Sequence, residues 1–255
     1  MYQIIIFILQ LLQQQSLCLS IYEIKMGGLC SAPQLLGGSS WRPDFPISSL
    51  ERTIVDRDMS LGLYNLRYDH FERTIKRFGY KGKLEENILE QIGQEINISL
   101  KEIQNDQSLH NFFFKNTHIF QQGIYNPEEL LIIGFLLTIH ESASQAADSL
   151  WGIMNPDMED DVEEKRVQYI LQRLVYYSVD VHLEYQLKMA SKNGEIEEYL
   201  RDIDDRKSSG VDEIMRKLDK TVTRKDLIRA ISGQLYSSYK VRCFIHPVKA
   251  KALND

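Results

Sequence analysis

The segment Leu130 to Ile139 reads LLIIGFLLTI and is apolar almost without interruption. A ten-residue helix rises about 15 Å, half of the roughly 30 Å core of a bilayer. The run is too short to cross a membrane and too apolar to face water. Other parts of the chain must surround it, so it is the expected hydrophobic centre of a packed body. Its start is sharply marked. Asn126 is a helix cap, Pro127 suits the first helical position, and Glu128 and Glu129 meet the positive end of the helix dipole.

The remaining sequence supplies the surrounding elements. The chain has 255 residues, 43% hydrophobic and 26% charged, enough for one large domain or two small ones with a real core. Ser49 could cap a helix from Leu50. Phe71, Ile75 and Phe78 recur at helical spacing over Tyr68 to Phe78, and Gly79 is a natural stop. A 3- and 4-residue rhythm runs from Leu84 to Ile96, and a further helix is predicted over Ser99 to Phe114. No alternating stretch with an Asn-Gly or Asp-Gly turn announces a hairpin. The expected class is all-α.

After a break at His140–Ser142, a helix is predicted over Ala143 to Met154, with Leu150, Trp151 and Ile153 inward. The acidic segment NPDMEDDVEEKR follows, residues 155 to 166. Then comes an amphipathic helix with Val167, Ile170, Leu171, Leu174, Val175 and Ser178 on one stripe. This helix, twelve-residue acidic segment and helix resembles the EF-hand family. The resemblance implies oxygen ligands for calcium, a hard cation that takes six to eight oxygens. They would be Asn155, Asp157, Glu159, Asp161 through its carbonyl, and Glu163, with Val162 as the apolar residue that pairs with a partner loop. Two positions depart from the family. Asp160 stands where a turn glycine is usual, and Arg166 stands where a two-oxygen glutamate closes the site. A loop that keeps its shape but loses most of its calcium affinity is expected. The same acids also read as an ordinary helix start, favoured by the dipole at about 0.3–1 kcal/mol each.

The family works in pairs, and TVTRKDLIRAI, residues 221 to 231, is similar to the second half of another hand. Counting back from Val222 puts Met215 and Lys217 at its first ligand positions, so this hand would be metal-free. Its expected role is to pair its backbone near Val222 with that near Val162. A plain helix capped by Thr223 is the other reading. The charged stretch Lys192 to Lys207 fills the gap as an inserted excursion. An earlier pair would fall in residues 50–114, where no acidic loop occurs.

Near the N-terminus, Met26 opens the sequence MGGLCS. If Met26 is the initiator, Gly27 can be myristoylated, and Cys30 beside it can take a palmitoyl chain. One myristoyl chain binds membranes only marginally, and two acyl chains make the anchor durable. Residues 31–49 are rich in Pro, Gly and Ser, as suits a flexible arm. The apolar run Ile4 to Leu12 is too short to span a bilayer and has no Lys or Arg ahead of it, unlike most secretory signals.

The expected layout is an arm over 1–49, a helical region over 50–114, an EF-hand-like pair over 115–235 and a tail over 236–255. The resemblance, to calmodulin and recoverin-like sensors, implies a cytoplasmic, membrane-associated regulatory protein. Its partners would be membrane lipids, through the acyl chains, and an amphipathic helix of another protein. A calcium-independent scaffold and a secreted helical protein are the alternatives. The net charge of −6 argues against a nucleic-acid partner. No His-Glu-x-x-His, paired Cys-x-x-Cys, phosphate-binding loop or nucleophile elbow occurs, so no enzyme is expected. The three cysteines, Cys18, Cys30 and Cys243, do not form a disulfide framework.

Overall fold

A computed structural model describes residues 47–79, 82–189 and 193–247. Among them the structure is predominantly helical. Its basic element is a helix, a loop, a two- or three-residue strand and a second helix, used four times. The first unit is α2 (Tyr68–Phe78), β1 (Leu84–Glu85) and α3 (Glu86–Ile92). After the short α4 (Leu100–Ile103), the second unit is α5 (Leu109–Phe114), a hairpin of β2 (Phe120–Gln121) and β3 (Ile124–Tyr125), and α6 (Pro127–Leu137). The third is α7 (Ala143–Met154), β4 (Asp161–Glu163) and α8 (Glu164–Val175). The fourth is α11 (Lys207–Met215), β5 (Thr221–Thr223) and α12 (Arg224–Ile231).

Strands pair these units two by two. Leu84 lies opposite Tyr125 in an antiparallel ladder, which joins residues on both sides of the boundary expected at 114. Val162 lies opposite Val222 in a second antiparallel ladder, flanked by Asp161–Thr223 and Glu163–Thr221. Val222 is fully buried and Val162 half-buried, so one apolar pair seals the join.

Local chemistry explains most boundaries. Asn126 Oδ1 accepts from the Glu128 amide at 3.0 Å, with Pro127 beginning α6. Ser142 Oγ accepts from the Gln145 amide at 3.1 Å to start α7. Thr223 and Asp226 cap α12 reciprocally. The first helix, α1 (Ser49–Ser60), is capped by Ser48 rather than Ser49. The Leu84–Ile96 rhythm resolves into strand and then helix, because the backbone at Leu84 pairs with β3. The helix expected over Ser99–Phe114 is broken at Asn105–Ser108. There Asn105 Oδ1 accepts from the Gln107 amide, and Ser108 Oγ accepts from the Asn111 amide, both at 3.1 Å. The unexpected β2–β3 hairpin turns at Gln122 and Gly123, both with positive φ of 52° and 81°.

Helix α6 is the centre that its sequence demanded. Every residue from Leu130 to Leu137 is buried. It packs on α2, α7 and α8. Helix α8 continues through one wider turn, Tyr176–Asp180, into α9 (Val181–Lys188), and the stretch expected as an excursion holds α10 (Gly194–Asp204), which buries Ile196, Tyr199, Leu200 and Ile203. Residues 238–245 are not a trailing tail. They form α13 (Ser238–Ile245), which packs on α1, α8 and α11 and buries Val241, Arg242 and Ile245.

Candidate functional site

The paired loops at β4 and β5 carry the residues singled out in the sequence. Asn155 ends α7 and is buried. Its Oδ1 accepts from the Glu159 amide at 3.0 Å, and its amide nitrogen donates back to the Glu159 carbonyl. This exchange closes the first half of the loop on itself. The sharp turn falls at Met158, with φ of 57°, two residues before Asp160. The Met158 side chain is 89% exposed at the tip.

Asp157, Glu159, Asp161 and Glu163 are all exposed. Among the described residues, no group of three or more His, Cys, Asp or Glu side chains is placed to hold a metal ion. The closing position is held by Arg166. Its Nε donates to the Met154 carbonyl at 3.1 Å, its Nη2 donates to the Ile153 carbonyl at 2.8 Å, and the same nitrogen pairs with Glu128. A guanidinium has no lone pair to give a cation, so the residues present at this position do not fit calcium. In the partner loop, Met215 is buried apolar surface. The proposed lipidation residues Gly27 and Cys30 lie outside the described residues.

Two buried polar clusters escaped the sequence reading. In the first, Glu129 is 1% exposed and accepts from Arg173 Nε at 3.0 Å, Tyr169 Oη at 2.9 Å and Tyr177 Oη at 2.8 Å. Burial beside this carboxylate pushes the Tyr169 phenol up to about 12. Residues 169, 173 and 177 recur every fourth position on one helix face, a signal that was present in the sequence.

In the second cluster, Arg242 is fully buried. It donates to Glu51 Oε1 at 2.9 Å, Asp58 Oδ2 at 2.9 Å, the Ser178 carbonyl at 3.0 Å and Ser238 Oγ at 2.7 Å. Tyr199 Oη donates to the other Glu51 oxygen. His182 Nε2 lies 2.8 Å from Asp58 Oδ1. Burial raises the Glu51 pKa despite Arg242. Burial also works to raise that of Asp58, but Arg242 and His182 outweigh it and hold it low. Burial lowers that of His182.

Other surfaces are less informative. The basic residues of α2 are paired: Arg73 with Asp69 at 3.1 Å, Lys76 with Glu72 at 2.8 Å, and Arg77 with Glu95 at 3.1 Å. Cys243 is buried against Ile47, Val55 and Tyr239. A small apolar cleft lies between α8, α11 and α13, lined by Leu171, Leu174, Val211, Ile214, Val241 and Ile245. No described helix is long and apolar enough to cross a membrane. No protein-family model, no curated protein and no solved structure matches the chain.

Proposed function

We propose that the chain is an EF-hand-like regulatory or adaptor protein, held at the cytoplasmic face of a membrane by acylation at Gly27 and Cys30, with calcium binding weak or lost. The observation that carries this reading is the antiparallel pairing of Val162 with Val222. It joins two helix–loop–strand–helix units through the middle of their loops, as hands of that family are joined. The second strand-paired set, with Leu84 opposite Tyr125, adds weight, because it joins two further helix–loop–strand–helix units in the same way, reaching beyond the 50–114 stretch expected for an earlier pair. The partner would be an amphipathic helix seated on the apolar side of one pair. In the second pair that side is covered by the chain's own α13.

Two measurements test the reading. Calorimetry with calcium should give weak or no heat. Micromolar affinity that disappears in Asp157→Ala would restore a calcium sensor instead. Mass spectrometry of the native N-terminus should find myristoyl-Gly27. A chain cleaved near Ser20 would favour the secreted alternative. The calcium-independent scaffold is supported by the arrangement of Arg166, and capture of a partner that is insensitive to chelator would favour it.

A further inference from the structure

The side chain of Arg166 joins its own helix to two others. The last carbonyls of α7 have no partners within their own helix and carry the negative end of its dipole. Arg166 meets two of them, donating to Ile153 O and Met154 O. Its own backbone lies in the first turn of α8. The same guanidinium pairs with Glu128 in the first turn of α6. Both side chains are part-buried, at 27% and 30% exposure, so the pair is less screened than a fully exposed one. One positive charge therefore ties the end of the helix before the loop to the start of the helix after it, and both to the centre of the molecule.

We propose that Arg166 is a built-in cation for the 155–166 loop, taking the place of a divalent ion and fixing the disposition of α7 and α8. The tie is read directly from the geometry, whereas the stand-in role rests on the hand-like reading of the loop given above. A bound ion in such a loop draws the loop's opening and the following helix together through oxygen ligands. Here the direction is inverted. The oxygens are the helix carbonyls and a distant carboxylate, and the cation is covalently part of the chain. The consequence is a hand held in one arrangement at every calcium concentration.

Hydrogen exchange on the full chain, with and without millimolar calcium, tests this. Wild-type amides of residues 155–163 should exchange at the same rate in both conditions. Arg166→Met should speed them about tenfold, with no recovery in calcium. Arg166→Glu should be equally loose without calcium and return to the wild-type rate when calcium is added. Glu128→Gln, which removes only the arm to α6, should give a smaller acceleration. If Arg166→Met exchanges like the wild type, there is no tie and the proposal is overturned. If the wild-type β4–β5 amides are protected but Arg166→Glu gains nothing from calcium, the stand-in role is overturned while the paired-loop reading survives. If those ladder amides exchange freely in the wild type, the paired-loop reading itself falls, and the stand-in role falls with it.

Discussion

Arg242 is the residue on which the packing of α13 turns. Its partners Glu51 and Asp58 lie 191 and 184 residues earlier in the chain. Replacing it with methionine keeps most of the volume but leaves two buried carboxylates without their cation. Such a loss costs roughly 3–5 kcal/mol. We expect Arg242→Met to lower the urea midpoint by that equivalent. Glu51→Gln should cost about 1 kcal/mol, because burial already disfavours the charged form of Glu51 and the amide can still accept from Tyr199. Nothing in the local sequence announces this role. Arg242 sits in a basic stretch from Lys240 to Lys251 that reads as exposed, and charge alone does not say which member turns inward. The opposite holds for Arg166. Its identity at the closing position was legible as a departure from a ligand, and only the fold shows where the guanidinium goes instead.

Among elements, α2 and α6 approach each other closely. A Cβ built on Gly134 would lie 2.4 Å from Cε1 of Phe71, so the helices meet ring against bare backbone. Gly134→Ala should cost about 1–3 kcal/mol despite alanine's higher helix propensity. Calorimetric melting of the single variant and of Gly134→Ala with Phe71→Leu checks this. The double variant should recover part of the loss, and equal melting of Gly134→Ala and wild type would show that the helices can separate freely. Helices with side-chain caps were readable in advance: α6 from Asn126 and Pro127, and α12 from Thr223. The strands were mostly not. Two or three residues carry no alternation, and Leu84 counts equally well toward a helical stripe. Val162 and Val222 are legible only through the flanking helices and the acidic segment that frame them. The Gln122-Gly123 turn lacks the Asn or Asp that usually marks such a hairpin.

For the molecule as a whole, the buried His140 and His182 should make stability fall with acid, against the smaller opposing pull of the raised Glu51 and Asp180 carboxyls. Burial lowers the pKa of His140 to about 4 and also lowers that of His182. In the unfolded chain both titrate near 6.5. Above that value neither state binds the proton, and their full contribution to stability is present. As pH falls below it, the unfolded chain gains protons that the folded one refuses, so stability drops until His140 itself titrates near pH 4. The low pKa of Asp58 extends the loss to more acidic conditions. Melting temperature measured from pH 7.5 to 4 should fall, and His140→Gln should flatten part of the slope. An unchanged slope in that variant would assign the acid sensitivity elsewhere. The helical class of the described residues was legible from periodicity from Ser49 onward. The four-unit plan was not, because its first two loops carry none of the acids that drew attention to the third.

The cluster around Arg242 also constrains the order of events during synthesis. Helix α1 emerges from the ribosome with Glu51 and Asp58 already in place, but the guanidinium that neutralises their site follows almost two hundred residues later. A nascent chain that stops short of residue 242 can build its helices and its short ladders, yet it must leave those carboxylates in water or take up protons to bury them. Closure around α1 therefore waits for α13, and a chain interrupted before α13 leaves the flank of α1 that carries Glu51 and Asp58 without its cation.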